Sequence, residues 1–388
     1  MDYRLSPDQE AVRRAIADTT ARFDDDYWLE MDPAGSFPVD FYDTLAAGGW
    51  LGICVPEAYG GSGLGLAEAA VMMQAIAETG AGLSGASAVH MNIFGLNPVV
   101  VFGTEEQKRR ILPPMVEERE RTCFAVTEPN TGLDTTQLRT LAVRRGDRYV
   151  VNGQKVWIST AQVAHKVLLL ARTTPLDEVD KPSRGLSLFH TDLDRSRITV
   201  REIDKMGRKA VDSNELFIDE LEVPVDDRIG EKGEGFQYIL HGLNPERILI
   251  AAEAIGLGRA ALARACAYAR ERVVFGRPIG KNQAIQHPLA DNWMHLEAAR
   301  LMTMEAARQY DERLPCGATA NAAKFLAAEA GHAACKQAVM THGGFGYAKE
   351  YHVERYLREI MIPVLAPVSA QLIQCYIAER VLDLPKSY

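Results

Sequence analysis

The chain has 388 residues, 47% hydrophobic and 24% charged, long enough for two or three domains and too apolar for a disordered polymer. Its 43 basic and 52 acidic side chains leave a formal charge of −9, so no basic field is present to hold nucleic acid or an anionic membrane. The six cysteines (Cys54, Cys123, Cys266, Cys316, Cys335 and Cys375) form no CxxC pair and the histidines show no ligand spacing, which excludes a disulfide framework and predicts no metal site.

From Met1 to Glu10 the chain is polar and acidic, unlike a signal or transit peptide, and no run of about 18 apolar residues offers a membrane span. A soluble, cytoplasmic protein is expected. Residues 1–120 read as helices. Ser6 is a candidate N-cap with Pro7 in the first turn, and Leu66 to Glu78 forms a second, Ala- and Met-rich helical stretch. The loop from Tyr59 to Gly65 reads as a turn before that helix in preference to a phosphate cradle.

Across 121–225 the period changes to that of strands. Leu141–Val143 and Tyr149–Val151 flank Gly146-Asp147 as a hairpin, and short β-branched runs follow at 167–170, 185–189, 198–203 and 216–223. The helical period returns over 226–388, with Ala-rich runs at 248–272, 283–312 and 317–341. Gly256-Leu257-Gly258-Arg259-Ala260-Ala261 fits the dinucleotide pattern GxGxxA. It lacks the strand that the fingerprint needs, so close helix packing is the better reading.

Two segments of the β region stand out. Phe124 to Asp134, containing Thr127-Glu128-Pro129, sits where a strand ends in a turn and offers backbone N–H groups and hydroxyls. Lys155-Val156-Trp157-Ile158-Ser159-Thr160 adds an aromatic plane and two hydroxyls on the next pair of strands; alone, Trp157 would be read as core. Together they resemble the TEPxAGSD and KxWITN motifs of the acyl-CoA dehydrogenase family. The likeness continues through Lys205 to Leu216, Asn244-Pro245-Glu246-Arg247, Arg272 to Gly276 with Gln283, and His342-Gly343-Gly344-Phe345-Gly346-Tyr347.

The resemblance implies an α+β protein with an N-terminal helical domain, a middle β-barrel or sandwich domain and a C-terminal four-helix bundle, usually a homotetramer. It implies FAD held by Val126, Thr127, Trp157, Ser159, Gly343, Gly344, Ser369 and Gln371, and by Arg272, Phe275 and Gln283 reaching to a neighbouring subunit. It also implies α,β-dehydrogenation of an acyl-CoA, with electrons passed to an electron-transfer flavoprotein. Leu133 stands where the family usually has a serine that touches the ligand, Met340 where a glutamine often contacts FAD, and Val211 where a serine is usual.

The sharpest departure is Pro367, which occupies the position of the family's usual catalytic glutamate and also lacks the N–H that polarises the thioester. The N–H of Val368 or Ala366 is the expected substitute donor. In the isovaleryl-CoA and long-chain branches the base moves to just before the arginine, where Glu246 stands. Asn244 as N-cap and Pro245 at the first helical position would put Glu246 in a first turn, where the helix dipole favours its ionised form. Arg247, Ala366, Pro367, Leu133 and His90 are the expected substrate contacts, with His90 near the bottom of the acyl pocket. Relatives with this arrangement often take branched or bulky acyl chains. Enoyl-CoA reduction, flavin-dependent oxygenation and non-catalytic flavin or CoA binding are the alternative functions.

Overall fold

A computed structural model describes residues 4–387; Asp2 of the acidic start lies outside them. Seven helices open the chain: α1 (Pro7–Thr20), α2 (Asp25–Ala34), α3 (Val39–Ala47), α4 (Leu66–Ile76), α5 (Gly82–Phe94), α6 (Asn97–Phe102) and α7 (Glu105–Val116). Ser6 caps α1 as expected: its hydroxyl accepts from the Gln9 N–H, and the Gln9 side chain returns to the Ser6 N–H.

Between α4 and α5 the chain makes a wide turn over Ala77–Ala81. Gly82 has φ +61°, and a Cβ there would stand 2.5 Å from Glu359 Oε2, so only glycine fits. The Glu359 carboxylate accepts from the Leu83 and Ser84 N–H groups and from the Ser84 hydroxyl, which closes the start of α5.

The middle region is one mixed sheet of β1 (Thr122–Ala125), β2 (Leu141–Arg145), β3 (Arg148–Ser159), β4 (Lys166–Arg172), β5 (Leu186–Asp192), β6 (Ile198–Glu202), β7 (Ser213–Pro224) and β8 (Arg228–Ile229). The order is β6-β7-β3-β2-β4-β5-β8, with β1 parallel to β4. The predicted hairpin is present, with β2 antiparallel to β3 across Gly146-Asp147. Tyr149, Val151, Phe189, Leu216 and Val223 fill a core of this region's own.

The C-terminal part consists of α8 (Gly235–Glu271), a small hairpin of β9 (Val273–Val274) and β10 (Arg277–Pro278), α9 (Gln283–Asp311), α10 (Gly317–His342), α11 (Val353–Glu359), α12 (Met361–Leu365) and α13 (Ala370–Arg380). Although the strands separate them in sequence, the two helical parts share one apolar core that runs from Val12 to Ile360. The GxGxxA glycines lie inside α8 and serve packing. A Cβ at Gly256 would meet the Gln74 carbonyl at 2.3 Å, and one at Gly258 would meet the Gly331 Cα at 3.0 Å. Leu66–Phe102 and Val353–Arg380 each contain an 18-residue window of mean hydropathy above 1.2, but the first is broken at Gly80 and mostly buried, and the second is broken at Ala366-Pro367.

Candidate active site

The two β-region motifs are tied to each other by a buried ion pair. Glu128, 7% exposed, accepts from the N–H groups of Arg139 and Thr140 and from Lys155 Nζ at 3.0 Å. Lys155 is fully buried and also donates to the Val126 carbonyl at 3.0 Å, while the Val156 N–H donates to the Thr127 carbonyl. The end of β1 is thus clamped onto β3. The second motif runs along β3 alone, not along a pair of strands.

A register shift between Lys155 and Ile158 gives Trp157 φ +62° and turns its ring outward, 59% exposed. Its plane is therefore not core, against the reading it would have alone. Ser159 follows, its hydroxyl accepting from Arg208 Nη2 at 3.0 Å. On the loop after β1 the Thr131 hydroxyl is buried with no partner among the described residues, and Leu133 is exposed. An orphaned hydroxyl on the loop clamped to β3 and an exposed indole face on β3 itself fit a flavin ring, whose edge carries acceptors.

Glu246 lies eleven residues into α8, not in its first turn, because Asn244 and Pro245 are themselves inside the continuous helix that begins at Gly235. Pro245 is buried inside this helix, and Asn244 serves as an acceptor for Arg247 Nη1 at 2.9 Å. The expected help from the helix dipole is absent. One carboxylate oxygen, Oε2, is buried with no partner among the described residues. Burial pushes the carboxyl up to about 7; His90, Arg247 and Lys324 pull the other way, and Glu253 adds to the rise.

His90 comes from α5 and is 9% exposed. Its Nδ1 meets Oε1 of Glu253, a fully buried residue whose Oε2 has no partner among the described residues. Burial opposes a charge on His90, but the Glu253 carboxylate, backed by Glu246, holds the imidazole above its ordinary value. Arg208, at φ +53°, donates to the hydroxyls of Ser87, Ser159 and Ser213 and so joins α5 to β3 and β7. Sequence reasoning missed both Glu253 and Arg208. A charged residue inside the run Ile248 to Leu262, seven positions after Glu246, was the available signal.

The last loop follows α12. Pro367 is half-buried and joined to Ala366 by a cis peptide bond. The Ala366 N–H donates to the Ile362 carbonyl at 2.8 Å, so of the two expected donors only the Val368 N–H is left without a partner among the described residues. Lys324, on α10 and 1% exposed, donates to the Val368 carbonyl at 2.6 Å and is one of the charges acting on Glu246. It brings the Pro367 loop and Glu246 to one place. Ser369 caps α13, accepting from the Leu372 N–H, and Gln371 is exposed on that helix.

The remaining candidates stand apart. Arg272, Phe275 and Gln283 are exposed around the β9–β10 hairpin, with Phe275 100% exposed at φ +52°. Arg272 is 26 positions after Glu246, roughly 39 Å along a helix, so these three do not join the Glu246 cluster of their own chain. Gly343 has φ +61°, and a Cβ at Gly343 or Gly344 would meet no protein atom, which leaves room for a ligand. Met340 is exposed, whereas Val211 is fully buried in the helical core.

Residues 6–119, 123–221 and 233–365 match in turn the N-terminal, middle and C-terminal domains of acyl-CoA dehydrogenase. The chain is 36% identical over 384 residues to the probable acyl-CoA dehydrogenase YngJ of Bacillus subtilis, covering 98% of this chain and 100% of that one. It is 33% identical over 357 residues to the caffeyl-CoA reductase-Etf complex subunit CarC of Acetobacterium woodii, covering 91% and 92%. The solved structure of butyryl-CoA dehydrogenase from Megasphaera elsdenii superposes with TM-score 0.93 at 30% identity, over 98% of this chain and 100% of that one.

Proposed function

Because the chain belongs to the acyl-CoA dehydrogenase family, FAD-dependent oxidoreductases acting on CH–CH bonds, we propose that it dehydrogenates an acyl-CoA thioester with Glu246 as the base. The observation that carries this reading is the bare, buried Oε2 of Glu246 next to the loop that lacks the family's usual glutamate. Val126, Thr127, Trp157 and Ser159 would hold the flavin ring, with Gly343, Gly344, Ser369 and Gln371 along the rest of the cofactor. Arg272, Phe275 and Gln283 would complete the site of a neighbouring subunit in a homotetramer. FAD, when bound, supplies the acceptor for the β-hydride.

The α-proton passes to Glu246 Oε2, which is buried and meets no competing donor among the described residues. Lys324 and Arg247 stabilise the carboxylate before the transfer, and Lys324 fixes the loop against which the thioester would lie. With Pro367 lacking an N–H, the Val368 N–H is left to polarise the thioester carbonyl. An electron-transfer flavoprotein would remove the electrons, which the likeness to an Etf-complex subunit supports.

A carboxyl that titrates near 7 can also give its proton back. That observation favours a second reading, enoyl-CoA reduction in the reverse direction. Anaerobic titration with acyl-CoA thioesters tests both readings. Bleaching of the flavin by native protein, and its loss in Glu246→Gln with binding retained, is expected; reoxidation of reduced protein by enoyl-CoA without any bleaching would point to the reductase.

A further inference from the structure

The proposed reaction leaves a second buried carboxylate on α8 unused. Glu253 is seven residues beyond Glu246, two helical turns on, so the two project from the same face of the helix. Glu253 is fully buried, and His90 on the facing helix α5 takes one of its oxygens. The other oxygen has no partner among the described residues. Arg208 stands behind this pair, linked to Ser87 on α5 and to Ser159 at the flavin shelf. The face that begins at the proposed base therefore ends on a histidine–carboxylate pair with one acceptor open.

A plain alkyl chain laid against that oxygen would leave a buried acceptor unsatisfied, which is unfavourable, whereas an O–H from the ligand would satisfy it. The charge balance narrows the choice further. His90 and Arg208 already set positive charge against Glu253, and an added carboxylate has no hydrogen to give the open oxygen, so a neutral donor fits best. We propose that His90 and Glu253 form the specificity-determining end of the acyl site and select an acyl-CoA that carries a hydroxyl group toward the far end of its chain. The inference rests on Glu246 marking the reacting end.

The test is calorimetric binding to the FAD-loaded protein of a straight-chain acyl-CoA, its ω-hydroxy counterpart and its ω-carboxy counterpart, over a short series of chain lengths. At the best-fitting length the hydroxylated chain is expected to bind at least about tenfold tighter than the plain one. Glu253→Leu should bring the two within about twofold, and Glu253→Gln, which keeps the shape, should cut the advantage at least about threefold. Equal or tighter binding of the plain chain at every length, a preference for the carboxylated chain, or an advantage that survives Glu253→Leu overturns the proposal. The binding arms use protein carrying Glu246→Gln, in which binding is expected without bleaching, and bleaching is read on native protein. Protein that prefers the hydroxylated chain but never bleaches its flavin would sink the dehydrogenase reading alone, and bleaching by plain and hydroxylated chains without preference would sink only this one.

Discussion

Lys324 Nζ lies 2.6 Å from the Val368 carbonyl oxygen, so a buried ammonium on α10 fastens the residue that follows Pro367. The same ammonium acts on Glu246, and burial lowers its own pKa to about 8. It therefore ties loop position to the ionisation of Glu246.

Lys324→Met removes both effects. The Glu246 carboxylate loses a stabilising charge, so its pKa rises and the acid limb of the kcat/KM profile moves to higher pH. His90, Arg247 and Glu253 remain as the other groups that set the limb. We expect a shift of about half a pH unit or more and a loss of roughly tenfold in kcat/KM at neutral pH. A rate loss with an unmoved limb would make Lys324 a purely structural clamp.

Glu246 should also govern a stability profile. Its folded pKa of about 7 lies above that of an unfolded glutamate, so the folded state holds a proton that the unfolded state has released between about pH 4.3 and 7. Stability from this group is fully present below the lower value and declines as pH rises through the upper one. Glu246→Gln removes the decline. At pH 8 the FAD-free variant is expected to gain roughly 3–4 kcal/mol over native protein, and at pH 4 almost nothing, in denaturant unfolding. An equal difference at both pH values would contradict the assigned shift.

Much of this was legible in the sequence because it rests on local patterns. The Ser6 cap, the Gly146-Asp147 hairpin and the helical role of Gly256 and Gly258 follow from turn chemistry and spacing. Glu246 stands out from its place before Arg247, but its electrostatics do not, because Asn244-Pro245 imitates a helix opening inside a helix already nine residues old at Asn244. Helix starts are set by what the preceding residues can pack against, and Tyr238 and Ile239 are buried. Glu253, Arg208 and Lys324 were invisible for another reason: their partners lie on other elements, and only folding brings His90, Ser159 and Val368 to them.

Lys155 and Glu128 offer a direct test of the flavin shelf. Lys155→Met leaves Glu128 charged and buried with only backbone donors, which is expected to cost about 3–5 kcal/mol and to free the Val126 carbonyl. Purified variant should carry less FAD than native protein and melt earlier. Adding Glu128→Gln should restore part of the stability, since the stranded charge is gone; an additive further loss would show that the pair is not the unit.

Phe275 is wholly exposed at the tip of the β9–β10 hairpin, flanked by exposed Arg272 and Gln283. In the proposed homotetramer this bare phenyl ring, on a hairpin held by backbone pairing, would seat against a neighbouring subunit. Phe275→Asp should reduce the assembled mass in light scattering below that of a tetramer and lower FAD content, with the monomer fold intact by circular dichroism. Unchanged mass and flavin content would remove this hairpin from the cofactor site.

Pro367 supplies the last prediction. With the Ala366 N–H committed to Ile362, the Val368 N–H is the free donor, and Lys324 fixes that same residue through its carbonyl. Pro367→Gly adds an N–H at the cost of some rigidity. Pro367→Glu adds an N–H and a carboxylate, but the new charge would sit on the loop that Lys324 holds close to Glu246. Like charges at close range raise the pKa of both, so the second carboxylate would protonate one of the pair near neutral pH instead of doubling the base. Neither substitution is therefore expected to raise kcat/KM on a substrate that bleaches the native flavin by more than about tenfold, or ~1.4 kcal/mol of barrier. Pro367→Glu should also shift the acid limb upward, whereas Pro367→Gly should leave it in place. A gain of a hundredfold or more from Pro367→Glu would mean that the native loop lacks a working carbonyl donor, and the reductase reading would then take precedence.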